Sequence, residues 1–209
     1  TISDNIIGYS SSSGTGTTSI TFSSFAQEFY GINLYTDDTS PSTISNNSIS
    51  GISISSATNH DFFGIWVFGV SGTSGTTPLN IEITGNTIGS STVADAIQLT
   101  TSSSNSVQVN AIELGDLSSS LIYQFQGNIA NNSIGGINSS TDNPSGFSVL
   151  GVSCLGNSLS DVAISGNTIG YSAAPIVLGT SSTGYQYNFI GIYLDEYSNS
   201  SPEFTVTGN

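Results

Sequence analysis

The sequence predicts an all-β chain wound into a parallel β-helix, a β-solenoid of about five coils with long hairpin-like return loops. Three observations carry that expectation. A seven-residue motif, clearest as Ile83-Thr84-Gly85-Asn86-Thr87-Ile88-Gly89, recurs through the 209 residues. Its asparagines, Asn5, Asn47, Asn86, Asn132, Asn167 and Asn209, stand 42, 39, 46, 35 and 42 residues apart. A repeat of about 41 residues with elastic length marks a solenoid that tolerates insertions. A second motif, a small residue followed by Ile-x-Leu or its equivalent, falls once between successive asparagine motifs.

The asparagine motif has a physical logic. Its first and sixth positions are apolar and sit in two short extended pieces facing one core. Between them the chain must turn sharply, and Gly or Asn in front of the repeated Asn supplies the left-handed conformation that the turn needs. Stacked once per coil, at about 4.8 Å, asparagine amides hydrogen-bond up and down a ladder as they do in cross-β stacks.

Taken in order, the motif opens the chain as Ile2 to Gly8 and returns as Ile44 to Ser50, Ile83 to Gly89, Ile129 to Gly135 and Ile164 to Gly170, with Val206 to Asn209 a sixth, partial copy. The repeats run over 2–43, 44–82, 83–128, 129–163 and 164–205, with a sixth beginning at 206–209, in a single solenoid domain spanning 1–209. The second motif reads Gly31-Ile32-Asn33-Leu34, Gly64-Ile65-Trp66-Val67, Ala111-Ile112-Glu113-Leu114, Gly151-Val152-Ser153-Cys154 and Gly191-Ile192-Tyr193-Leu194. Period-two alternation puts Ile32 and Leu34, and their equivalents, on one face of a strand. The small residue in front allows a bend or a close backbone approach.

Each repeat therefore reads as one coil of a three-sided solenoid: strand, turn, strand, sharp turn, strand, long return. The returns span 18 to 27 residues between motifs. Ala96–Leu99 with Ser106–Val109, and Ile176–Leu178 with Tyr185–Tyr187, are expected to form hairpins that widen one edge of the coil. Two coils per repeat would double the spacing of the asparagines and break the ladder.

These residues resemble the right-handed parallel β-helix repeats of bacterial secreted and cell-surface proteins, related in shape to the pectin-lyase-like fold. The likeness covers nearly the whole chain. It implies the fold and not the function, because that fold carries polysaccharide enzymes, adhesins and structural fibres alike. The long returns and the lack of cations depart from the family.

Composition narrows the partners. There is no Lys or Arg against 14 Asp and Glu, a net charge of −14. Without cationic side chains nothing attracts nucleic acid or an anionic membrane surface. No apolar run approaches a membrane span, so no membrane insertion is expected. The single cysteine forms no internal disulfide, which leaves stability to stacking. With no Met at its start and no cap at either end, the chain reads as a mature product or a window of something longer.

Candidate sites are few. Asp37-Asp38 and Asp195-Glu196 are the adjacent acidic pairs, both following the Ile-x-Leu strand but four coils apart, too far to share a glycosidic bond. They are weak metal candidates, for Ca²⁺, since neither has the alternating spacing of a dedicated loop; no cofactor is expected. Uronate-cleaving relatives of the fold rely on basic residues that this chain lacks. His60-Asp61, the one histidine beside an acid, reads as a solvated loop. Cys154 stands where the other repeats carry Leu or Val and reads as a small core residue. Trp66 and Tyr193 fall in the outward column with Asn33, Glu113 and Ser153, and Tyr35 and Phe68 in the next. So much apolar surface on a solvent face means either a lateral partner or a neighbouring loop folded over it. Asn46, Asn131, Asn138 and Asn199 begin Asn-x-Ser sequons that so serine-rich a chain produces by chance.

The expected function is structural: an extracellular or cell-surface segment of a filament or rod, stacking on itself head to tail or on further repeats of the same chain. A surface adhesin or glycan-binding module using Trp66, Phe68, Tyr35 and Tyr193 is the alternative, and a polysaccharide-degrading enzyme a distant third. No catalytic residue is expected.

Overall fold

Every repeat folds as one coil of four short parallel strands. The computed structural model describes all residues except 12, 24, 38–39, 70–77, 102–106, 116–123, 142–146, 157, 179–186 and 197–203. The first sheet is built from Ile2–Ser3, Ser42–Ser45, Leu79–Thr84, Gln124–Ala130, Ser158–Ser165 and Phe204–Thr207. The second takes Ile6–Ile7, Ser48–Ile49, Thr87–Gly89, Ser133–Gly135 and Thr168–Ile169, just past the asparagine turn. The third takes Thr18–Phe22, Ile52–Ser56, Ile97–Thr101, Ile137–Thr141 and Val177–Leu178. The fourth holds the longest strands, Gln27–Thr36, His60–Gly69, Val107–Leu114, Phe147–Gly156 and Tyr187–Glu196. All pairing is parallel and runs in sequence order, which makes this a parallel β-solenoid. Among the described residues no helix is long and apolar enough to cross a membrane.

Register follows the motifs. In the first sheet Ile2, Ile44, Ile83, Ile129, Ile164 and Val206 lie side by side. In the second, Ile7, Ile49, Ile88, Ile134 and Ile169 do the same. Equivalent residues of adjacent repeats are direct neighbours, so one repeat is one coil. Ile44, Ile49, Ile83, Ile88, Ile134 and Ile164 are wholly buried in a single core between the sheets.

The return segments differ from the expected hairpins. Ile97–Thr101 pairs with Ile52–Ser56 on one side and Ile137–Thr141 on the other, whereas Val107–Leu114 belongs to the fourth sheet. Val177–Leu178 likewise pairs with Ile137–Thr141, and Tyr187 enters the fourth sheet; residue 185 lies outside the described residues. The coil is therefore four-sided. Burial is the reason: the alternating apolar residues Ile52, Ile54, Ile97, Leu99 and Ile137 all reach the core, which a hairpin standing off the coil would leave uncovered.

The fourth sheet also bends. Phe62 and Ile65 are three residues apart, yet both are fully buried, where strict alternation would place them on opposite faces. The phase changes at Gly64, and at Gly31, Ala111, Gly151 and Gly191 in the other coils. A Cβ at Gly64 would lie 2.4 Å from the Ala111 carbonyl oxygen, and one at Gly31 2.6 Å from that of Gly64. The small residue is there because one backbone closely approaches the next coil. Inward of this bend, Ile32, Ile65, Ile112, Val152 and Ile192 form one column, and Leu34, Val67, Leu114, Cys154 and Leu194 its neighbour. Their members in the three middle coils are buried, while Leu34, Ile192 and Leu194 in the end coils are only half-buried.

Candidate functional site

The six asparagines form one continuous file. Each Nδ2 donates to the Oδ1 of the next coil's asparagine: Asn5 to Asn47 at 2.8 Å, Asn47 to Asn86 at 2.9 Å, Asn86 to Asn132 at 3.0 Å, Asn132 to Asn167 at 2.9 Å and Asn167 to Asn209 at 2.9 Å. The same Oδ1 also accepts the preceding asparagine's backbone N–H, at 2.9 to 3.0 Å. The second amide hydrogen points the other way. Asn86 Nδ2 donates to the Ile44 carbonyl and Asn132 Nδ2 to that of Ile83, both at 2.9 Å. Every inner rung thus grips the coil before and the coil after. Asn47, Asn86, Asn132 and Asn167 are 1% exposed, so these bonds are shielded from water.

The turn that aims each asparagine is left-handed at the residue in front. Asp4, Asn46, Gly85, Asn131, Gly166 and Gly208 have φ between 55° and 66°. Asp, Asn and Gly are the residues that adopt this region at least cost. A Cβ at Gly85 would lie 2.7 Å from Asn46 Oδ1, and one at Gly166 2.5 Å from Asn131 Oδ1. Glycine follows asparagine along this column because the asparagine side chain reaches over the next coil.

The acidic pairs are not brought together. Asp37 is exposed in the first coil, and Asp38 lies outside the described residues. Asp195 and Glu196 end the last long strand, beside Leu155 and Gly156, with side chains outside those described. Among the described residues no three His, Cys, Asp or Glu side chains converge on a metal-ion position. Cys154 is wholly buried, and burial, with the Glu113 carboxylate adding to it, pushes its thiol up to about 12.

His60 corrects the sequence reading. It opens a strand of the fourth sheet, 1% exposed, instead of lying in a solvated loop. The alternation that buries Phe62 extends back to it, placing it between Gln27 and Val107 with Phe22 nearby. Burial holds its pKa below the usual histidine value, against a smaller opposing effect of the Thr58 backbone. Asp61 beside it faces outward and accepts the Gln108 backbone N–H at 3.1 Å. Its partial burial raises its pKa, and the nearby Glu28 carboxylate raises it further.

The outward column of Asn33, Trp66, Glu113, Ser153 and Tyr193 is in register, but it is not uniformly a solvent face. Glu113 and Ser153 are buried, and so is Leu155 in the next column. Trp66 is half-buried, its indole N–H donating to the Gly115 carbonyl at 2.8 Å. Around it rings gather from two coils. Tyr30 stacks on Phe63 at 5.0 Å and on Trp66 at 5.1 Å, and Phe63 on Trp66 at 5.2 Å. Phe68 touches Trp66 at 4.5 Å, and Tyr35, exposed, packs edge-on against Phe68. Tyr193, four coils from Tyr35, lies apart from this cluster. Tyr30 and Phe63 escaped the sequence reading because they precede the glycine where the phase changes. The signal was present: a glycine that reverses alternation puts the residue before it and the residue two after it on the same face.

A cleft of about 410 Å³ opens beside the rings, lined by Gln27, Glu28, Tyr30, Asn59, His60 and Asp61. The Tyr30 hydroxyl donates to Glu28 Oε2, and its own pKa is raised, by burial first and by that bond second. The arrangement offers hydrogen-bonding groups on one side and hydrocarbon rings on the other. Comparison with family models, curated proteins and solved structures finds no match for this chain.

Proposed function

We propose that this chain is a structural segment of an extracellular β-solenoid, a rod or filament in which coils continue axially, into another copy or into further repeats of the same chain. The observation that supports this most is the polarity of the asparagine ladder. Each inner rung gives two donors to the following coil and accepts two from the preceding one. The outer rungs are complementary: Asn5 turns the Oδ1 acceptor outward, and Asn209 the donor face. A copy placed below Asn5 in the same register would present the donors that Oδ1 takes elsewhere in the ladder. The sheet edges at both ends add rows of backbone groups suited to the same parallel pairing. A heterologous head-to-tail contact of this kind generates an open filament.

The bacterial secreted β-helix proteins that the repeats resemble favour the same setting, as does a surface of Ser, Thr, Asn and Gly without a trypsin-type cleavage site. A non-catalytic role fits the separation of Asp37-Asp38 from Asp195-Glu196 by four coils. Analytical ultracentrifugation and electron microscopy of the 209-residue chain test the join. Rods whose axis coincides with the ladder, lengthening with concentration, are expected. A monodisperse monomer across the whole concentration range would overturn it.

A further inference from the structure

From the cleft beside Tyr30 and the ring cluster that adjoins it, we infer a binding site for an uncharged saccharide, displayed on the side of the solenoid. This inference does not depend on the axial join, since its test reads saccharide binding and needs no second copy.

Three observations converge. The first is the mixture of hydrogen-bonding groups around a cleft whose volume falls in the ~300–1,000 Å³ range of small-molecule sites. Glu28 and Asp61 occupy register-paired positions on neighbouring strands. Carboxylate oxygens accept hydrogen bonds, so a ligand that brings donors suits them. The amide of Gln27 both donates and accepts, and a ligand that satisfies it does the same. The second observation is the Tyr30 hydroxyl in the same cleft, which donates to Glu28 Oε2 and whose oxygen can also accept from a ligand hydroxyl. The third is the ring array of Tyr30, Phe63, Trp66, Phe68 and Tyr35, which runs across the outer face beside the cleft.

A ligand suited to all three carries many hydroxyls, able to donate and accept, and a face of C–H groups to lie against rings. It bears no negative charge, because the chain has no Lys or Arg to pair with one. Neutral sugars answer that description. An amine or guanidinium ligand would answer the two carboxylates and the rings as well, but it has no need of the glutamine amide as a donor.

Trp66 is the only tryptophan, so its fluorescence reports on this site alone. Titrating the chain with neutral oligomers of glucose, galactose, mannose and xylose should give saturable quenching or a shift in emission for at least one of them. The apparent affinity should be unchanged between low and high salt. Gln27→Ala and Glu28→Ala, at exposed positions, should each weaken it at least tenfold, while Glu28→Gln retains part of the binding. Tyr30→Ala should abolish it, and if that variant does not fold, the two exposed variants still decide the matter. No saturable response to any uncharged oligosaccharide up to about 10 mM, past ordinary millimolar affinities, would overturn the inference. So would binding confined to amines, screened by salt and lost in Glu28→Gln, which would make this a cation site.

Discussion

Asn86 makes the physics of a single rung plain. It accepts from the Asn47 backbone and amide, donates to Asn132 Oδ1 and to the Ile44 carbonyl, and is hidden from solvent. Asn86→Ala would take the partner from the Asn47 backbone N–H and amide and from the Ile44 carbonyl, without water to replace the lost bonds, while Asn132 Oδ1 keeps the residue-86 backbone N–H. At about 1–3 kcal/mol for each unsatisfied buried group, partly relieved by relaxation, a loss of about 4 kcal/mol is expected. Asn5→Ala, at an exposed end rung, should cost under about 1 kcal/mol. Calorimetry on the two variants compares them directly, and equal losses would show that the inner ladder carries no particular weight.

Two other residues act in the opposite sense or only at a chosen pH. Ser139 stands in a core column between Leu99 and Leu178, 0% exposed, with no partner for its hydroxyl. Ser139→Ala removes a buried unpaired group, so the denaturation midpoint should rise, by about 1 kcal/mol in stability. Cys154 titrates well above a free thiol. Folded, it keeps its proton to about 12, whereas the unfolded chain loses it near the ordinary value of about 8.5. Below that value the contribution to stability is fully present. As pH rises through the window the unfolded state sheds the proton first, and stability falls. Cys154→Val should abolish that part of the alkaline decline, and thiol reagents should label the native protein only as fast as it opens.

At the level of elements, the small-residue column and the left-handed column explain why strands of this length stack without slipping. Gly31, Gly64 and Gly151 let carbonyls of the next coil come closer than a Cβ allows, and the middle coil carries a buried alanine, Ala111, at the same position. Either side of that bend, the fourth sheet commits its inward positions to the core. Leu114 is 1% exposed between Val67 and Cys154. Leu114→Asp would bury a carboxylate in a chain with no cation to pair with it. A loss above about 4 kcal/mol, or failure to fold, is expected. A melting temperature within a degree or two of the parent would contradict the inward placement. The hydrogen bond from Asn128 to Glu82, 2.8 Å on the outer face of the first sheet, shows how an exposed acid is handled here: by amides, not by ion pairs.

For the whole molecule the net charge of −14 sets the conditions of assembly. Two copies approaching end to end repel, and no basic residue on either offsets that repulsion. Added monovalent salt should therefore promote axial association, with the extent of polymer rising steadily from low ionic strength to physiological values, where the screening length is about 8 Å. Association that weakens as salt is added would point to attraction between charges and against the ladder as the joining element. Sedimentation at a series of salt concentrations measures this.

The asparagine file, the one-coil repeat and the paired columns of the fourth sheet were all legible in the sequence, because each is a local pattern repeated at a fixed spacing. A left-handed position before Asn86 and an alternating Ile65, Val67 pair mean the same thing wherever they stand in the fold. Two features were settled by tertiary structure alone. Residues 97–101 could pair with the strand that follows in the chain or with their equivalents one coil away; both choices satisfy the same alternation, and only the burial of Ile52, Ile97 and Ile137 together in a continuous core selects the second. The placement of Tyr30 and Phe63 against Trp66, and of Glu28 beside Asp61, depends on where the long strands change phase and on which coil lies next to which. Residues 33 or more apart meet there, across a bend whose direction comes from the close approach of one backbone to another.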